Sequence, residues 1–176
     1  MKEHFIIDDD VLVRKFTDDD LEDLFIVMTN RESMKNSTRQ PLSINETRSF
    51  LDRIINSYRK FNYGLYALES ALRGNLIGYC GFSYINIDSR PETEISIRLL
   101  PQYWGKGIGS KAVKIISDYG FNKLKIDKIT AIVSFENTAW EKVCINAGLK
   151  FKKNSVLHNI QIKIFEKELS SKVFFI

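Results

Sequence analysis

The sequence predicts one α/β domain, residues 1–176, built on a mixed, mostly antiparallel sheet of six or seven strands flanked by about four helices. Three observations carry this. The chain has 176 residues, 44% of them hydrophobic, enough for one sizeable core. Apolar residues alternate with period two in several short runs joined by tight polar turns. Between Glu94 and Val133 a strand-like run, a helical run and a second strand-like run follow one another. That order requires a right-handed parallel crossover inside otherwise antiparallel hairpins.

Each element has its own signal. Val11-Leu12-Val13-Arg14 reads as a first strand. Thr17 is a plausible N-cap before the acidic turn Asp18-Asp19-Asp20, and Leu21, Leu24, Phe25 and Met28 then form one helix face. The stretch Thr29 to Pro41 is polar and irregular. Ser43 to Glu46 is a capping box, and Phe50, Leu51, Ile54 and Ile55 give the next helix its apolar stripe. Tyr63–Leu68 and Leu76–Ile85 read as antiparallel strands, the second with glycines that suggest a bulge or a close backbone approach. In the run Thr93 to Leu100, Glu94, Ser96 and Arg98 share one face, and Ile95, Ile97 and Leu99 the other. Ile108, Ala112, Ile115, Ile116 and Tyr119 make a helix stripe, with Gly120 near its end. Ile129–Val133 is a strand, and Asn137 to Ala147 a short helix before Gly148. Phe151–Val156 and Ile160–Phe165 form a hairpin around His158-Asn159. The apolar tail Val173 to Ile176 suits packing on the core or on another chain, so a homodimer is possible.

Composition excludes several classes. No run approaches the 18 apolar residues of a membrane span, and Met1 to Asp10 is acidic, unlike a signal peptide. Cys80 and Cys144 lie far apart without metal-type spacing. A reduced, cytoplasmic protein with no metal and no membrane partner is expected. Residues 1–100 carry 13 Lys and Arg against 16 Asp and Glu, whereas residues 101–176 carry 13 against 6. A basic second half suits a polyanionic cofactor. No basic block is interleaved with aromatics, so nucleic acid is not an expected partner. Neither a hydrolase triad nor a paired-carboxylate pattern is present.

The most informative stretch is Leu99-Leu100-Pro101-Gln102-Tyr103-Trp104-Gly105-Lys106-Gly107-Ile108-Gly109-Ser110. It joins a β-branched run to an amphipathic one through three alternate glycines. A helix starting here presents its orphan N–H groups and positive dipole end to an anion. Walker A spacing is absent. A dinucleotide fingerprint on Gly107, Gly109 and Ala112 would normally follow the first strand, which this run does not. The run Glu94 to Gly109 resembles the central motif of the GNAT superfamily of N-acetyltransferases, and Tyr103-Trp104-Gly105-Lys106-Gly107 most resembles the RimJ/RimL ribosomal-protein N-terminal acetyltransferase branch. Asn137-Thr138-Ala139-Trp140 through Gly148-Leu149 resembles the superfamily's second helix motif. The resemblance covers roughly residues 11 to 165.

The resemblance implies transfer of an acetyl group from acetyl-CoA to a primary amine, a protein N-terminus or a small molecule, by direct attack. Trp104, Gly105, Lys106, Gly107, Ile108, Gly109 and Ser110 would hold the pyrophosphate. The backbone of Leu99 and Leu100 would pair with pantetheine, and Asn137 would bond the same arm, a role compatible with being a helix N-cap. Glu94 matches the motif-strand glutamate and would be the base, unless a neighbouring cation pairs with it. Cys144 stands where many members have the tyrosine that protonates the leaving thiolate. It would serve either as that acid or as a small buried hydrophobe. Trp140 replaces a small residue. These departures leave a second reading open, a non-catalytic acyl-CoA-binding or regulatory module.

Overall fold

Pairing of the predicted hairpins produces one sheet. A computed structural model describes residues 3–34 and 41–169; the C-terminal run Val173 to Ile176 lies outside the described residues. The strands are β1 (His4–Ile7), β2 (Val11–Lys15), β3 (Leu65–Ser70), β4 (Leu76–Ile87), β5 (Arg90–Leu99), β6 (Lys128–Ser134), β7 (Lys150–Leu157) and β8 (Ile160–Glu168). Their order is β1-β2-β3-β4-β5-β6-β8-β7. All neighbours are antiparallel except β5 and β6, the pair joined by the predicted crossover. The helices are α1 (Leu21–Thr29), α2 (Arg31–Met34), α3 (Ile44–Phe61), α4 (Ile108–Asn122) and α5 (Thr138–Asn146).

The described residues thus hold eight strands and five helices, against six or seven strands and about four helices expected. The extra strand, β1, is a four-residue edge whose pattern is too short to register. The extra helix, α2, is a single turn inside the stretch read as irregular. The α3 capping box is present: Ser43 Oγ accepts from the Glu46 N–H at 3.3 Å, and the Glu46 carboxylate accepts from the Ser43 N–H at 2.8 Å.

Alternation along the strands sends apolar side chains to both faces. Val13, Leu68, Phe82, Ile95, Leu99 and Ala131 pack with Ala112 and Ile116 of α4 and Cys144 of α5. Leu65, Ala67, Tyr79 and Leu100 pack on the opposite face with Leu24, Met28, Met34, Leu51 and Ile54 of α1, α2 and α3. A smaller cluster, Ile87, Ile162 and Ile164, joins the β4–β5 and β7–β8 hairpins. Asp88 at the first hairpin's tip binds Lys153 of β7 at 2.7 Å. The expected bulge is in β4. Leu68 and Glu69 of β3 face Gly78 and Leu76, which leaves Ile77 as the extra residue. Gly78 has φ +155, and a Cβ there would lie 2.0 Å from the Arg98 carbonyl oxygen, so only glycine fits.

Candidate functional site

The site grows out of the single parallel pairing. β5 and β6 share one register position, Glu94 opposite Thr130. Beyond it the ladder stops, and a wedge separates the two strands.

Hydrogen-bond alternation decides which backbone groups face that wedge. Leu100 donates its N–H to Ile77 O at 2.9 Å, so alternate residues Arg98, Ser96 and Glu94 exchange bonds with β4. Ile97 and Leu99 therefore turn their peptide groups toward β6. On the other lip, Leu169 donates to Asp127 O at 2.9 Å, so Ile129, Ala131 and Val133 bond β8 while Thr130 and Ile132 face β5. This changes the expected pantetheine contacts. The Leu100 amide is already committed to β4. The Leu99 carbonyl accepts from Trp104 Nε1 at 2.9 Å and from Ser33 Oγ at 3.2 Å. Ile97, which the sequence reading passed over, has both peptide groups on the wedge side. Its position is readable only once β6 is known to lie beside β5.

At the wide end of the wedge the chain makes a 3₁₀ turn at Pro101–Tyr103 and then the glycine loop. Gly105 and Gly107 have φ +71 and +79, so both need the left-handed region. Gly107 caps α4, and the first intrahelical bond runs from the Lys111 N–H to Gly107 O at 3.0 Å. The N–H groups of Ile108, Gly109 and Ser110 lie in the first turn ahead of it and point outward from the helix start. Gly109 differs from its neighbours. It is helical, and an added Cβ would make ordinary contacts with Val143, Leu99 and Ile97 at 3.5 to 3.9 Å. Lys106 rests 5.9 Å from the Tyr103 ring. Lys111 is tied to Asp8 and Asp10.

Glu94 stands at the closed end of the wedge, on the face shared with α1, α2 and α3. No hydrogen bond or ion pair joins its carboxylate to another described residue. Burial alone pushes its pKa up to about 7. The cation that might have paired with it, Arg98, turns away: its Nε donates to Tyr79 Oη at 3.0 Å and its Nη1 to Ser33 O at 3.2 Å, and Nη1 also contacts Met34. Glu92, two residues back, is held by Lys128 Nζ at 2.7 Å and Thr130 Oγ1 at 3.0 Å. Of these two carboxylates, Glu94 has the environment of a proton acceptor that works near neutrality. Ser96 lies beside it on the same face.

The second motif folds differently from the expectation at Cys144. That side chain is 0% exposed inside the main core, and burial pushes its thiol pKa far up, with the Glu141 charge adding. Such a thiol is packing, not a proton donor within reach of solvent. Asn137 caps α5, its Oδ1 accepting from the Trp140 N–H at 3.0 Å. The Trp140 indole, whose size was the sequence's anomaly, donates Nε1–H to Ile132 O at 2.9 Å on the wedge side of β6. His158 is exposed at the tip of the β7–β8 hairpin, with β6 between β8 and the strand that carries Glu94.

A strand wedge, a glycine loop capping a helix and a lone raised carboxylate are what acyl transfer from a nucleotide-bearing thioester needs. Comparison with known proteins agrees. Residues 10–150 match the family model described as "Acetyltransferase (GNAT) domain". The chain is a GNAT acetyltransferase. Acetyl-CoA is its co-substrate and an amine its acceptor. The acetyltransferase is 27% identical over 150 residues to the uncharacterized N-acetyltransferase YoaA of Bacillus subtilis, covering 85% of this chain and 83% of that one. Its fold superposes on a ribosomal-protein-S5-alanine acetyltransferase from Vibrio fischeri with TM-score 0.80 at 17% identity, covering 96% and 98% of the two chains. A ribosomal L7/L12 α-N-protein acetyltransferase in complex with coenzyme A superposes with TM-score 0.80 at 15% identity, covering 95% and 98%. Among the described residues no helix is long and apolar enough to cross a membrane, and no acidic, histidine and cysteine cluster suits a metal.

Proposed function

We propose that this acetyltransferase moves the acetyl group directly from acetyl-CoA to a primary amine, with Glu94 as the base. The carrying observation is the Glu94 carboxyl, half-buried at the closed end of the β5–β6 wedge without a hydrogen-bond or ion-pair partner among the described residues, and pushed up to about 7. The pyrophosphate lies on the amides of Gly105 to Ser110, Gly105 and Gly107 shaping the loop and Ile108, Gly109 and Ser110 supplying the α4 helix start; the Trp104 amide, expected to join them, donates to Pro101 O at 3.0 Å instead. The pantetheine arm runs up the wedge as an extra strand partner of Ile97 and of the Leu99 N–H, with the Asn137 amide group on the other side. That seats the thioester carbonyl at the narrow end, where a β5 N–H stabilises the charge developing on oxygen.

The amine arrives from the face carrying Glu94, Ser96 and Arg98. An ammonium cannot attack; Glu94 takes its proton, the free amine attacks the carbonyl carbon, and the C–S bond breaks. Cys144 does not protonate the departing thiolate, which solvent can reprotonate. Positioning of the two reactants supplies much of the rate, roughly 7–11 kcal/mol for well-aligned groups. The acceptor is either a protein N-terminus, as the names of the ribosomal-protein acetyltransferases with this fold suggest, or a small amine.

Thiol release from acetyl-CoA across a panel of alanine- and serine-initiated peptides, polyamines and aminoglycosides tests this. Turnover with at least one amine is the expected result. Tight acetyl-CoA binding with no turnover on any amine would instead favour the non-catalytic module.

A further inference from the structure

We infer that Arg98 selects the acceptor: its guanidinium takes a carboxylate two or three residues into an extended peptide whose N-terminal amine stands at Glu94, so that acidic protein N-termini are preferred. The inference rests on Glu94 marking the amine's place.

Arg98 is a half-buried cation without a counter-charge. Its Nε donates to Tyr79 Oη at 3.0 Å and its Nη1 to Ser33 O at 3.2 Å, both neutral acceptors, and Nη2 donates to no described residue. Every Asp and Glu of the chain lies among the described residues, and none forms an ion pair with Arg98. Arg14, by contrast, is buried against the carboxylates of Asp20 and Glu69. Drawing a charge out of water costs free energy that an opposite charge offsets, and no side chain of this protein supplies one at Arg98. The two neutral bonds hold the planar fork in place with its Nη2 edge unused, and such a fork suits a carboxylate.

Its place on the strand gives the ligand its length and direction. Glu94, Ser96 and Arg98 alternate on one face of β5, each half-exposed. Directly opposed residues share a face, and Ser96 stands opposite Gly81, so neither β4 nor β5 raises a large side chain between Glu94 and Arg98. At about 3.3 Å per residue, the Cα atoms of Glu94 and Arg98 are about 13 Å apart. An extended peptide covers about 3.3–3.6 Å per residue, so one whose amine meets Glu94 brings its third or fourth residue within side-chain reach of the guanidinium. Glu94 draws the ammonium and Arg98 the carboxylate, which fixes the peptide in one direction. A polyamine would bring a second ammonium against the guanidinium instead.

Thiol release from acetyl-CoA tests this with short serine-initiated peptides that differ only in carrying Glu, Gln or Lys at positions three and four. Wild-type kcat/KM should be at least about 10-fold higher for the Glu peptide than for the Gln peptide, the scale of a hydrogen bond to a charged group, and lowest for the Lys peptide. Arg98→Gln should shrink the Glu-to-Gln ratio to less than about 3-fold, and Arg98→Glu should turn the preference toward Lys. If these variants do not fold, Arg98→Met, which keeps the apolar stem, makes the same test. Calorimetry should find the affinity for acetyl-CoA alone unchanged in each variant. Equal wild-type rates on the Glu and Gln peptides would overturn the inference and leave the amine reading standing. It would also be overturned by faster turnover of spermidine than of any peptide, by a folded Arg98→Gln or Arg98→Met variant with the wild-type ratio, or by a matching loss of acetyl-CoA affinity, which would give the guanidinium to the cofactor. Glu94→Gln should slow all three peptides by one common factor and keep their ratio. If it slows none of them, the base reading fails and this inference with it.

Discussion

Glu94, the proposed base, costs the fold stability. A carboxyl raised to about 7 by burial keeps its proton in the folded state between pH 4.5 and 7, while the unfolded chain has lost it. Folding stability therefore falls as pH rises through that window and is flat above it. Glu94→Gln removes this loss. The variant should melt higher than wild type at pH 8 and alike at pH 4, as differential scanning calorimetry would read. Its turnover should fall by roughly 10²–10⁴ with little change in acetyl-CoA affinity. A lower melting temperature at pH 8 would mean that the carboxylate is held by a partner. The glycines divide similarly. Gly107→Ala should lose about 1–2 kcal/mol to the left-handed backbone and bind CoA more weakly, whereas Gly109→Ala should be nearly silent in both. Cys144→Ala should keep most of the activity while destabilising the core slightly, because the thiol only fills space.

At the scale of elements, the Leu99 carbonyl links three parts of the site. It accepts from Trp104 of the glycine loop and from Ser33 of α2, while Arg98 beside it holds the Ser33 carbonyl. Trp104→Phe should release the loop from β5. KM for acetyl-CoA should rise several-fold with kcat much less affected, and hydrogen exchange of residues 104–110 should quicken. Most of this architecture was legible in the sequence because its signals are local: capping residues at Ser43, period two from Thr93 to Leu99, left-handed glycines in the loop. What escaped is non-local. Whether Ile97 or Leu100 faces the wedge depends on which side of β5 carries β6. The Trp140 side chain's partner is a carbonyl eight residues away, brought near only by the turn into α5. Cys144 matched a motif position by spacing, yet a short side chain at that position ends inside the core.

Across the whole molecule, a buried ion network fastens the far edge of the sheet. Arg14, 1% exposed, donates to both Asp20 oxygens at 2.7 Å and to Glu69 at 2.6 and 2.8 Å, and His4 lies 2.6 Å from Glu69. The sequence offered Asp20 only as part of an acidic helix start. Asp20→Asn leaves the guanidinium half-compensated and should cost about 3–5 kcal/mol. For a chain of this size that is a fall of roughly 6–20 °C in Tm. Burial would raise the Glu69 pKa, but Arg14 and His4 outweigh it and hold the group below its usual range. Its contribution is present above pH 4.5 and is lost as pH falls through its lowered pKa, the opposite sense to Glu94. The sheet edge thus weakens in acid, while Glu94, the proposed base, takes up its proton. The most direct measurement is the pH profile of acetyl-CoA turnover at saturating amine for the wild type and Glu94→Gln. The wild-type rate should climb through an inflection near pH 7, and the variant should lack that inflection and run 10²–10⁴-fold slower at neutrality, the gap narrowing as free amine becomes abundant. Superimposable profiles would contradict the account.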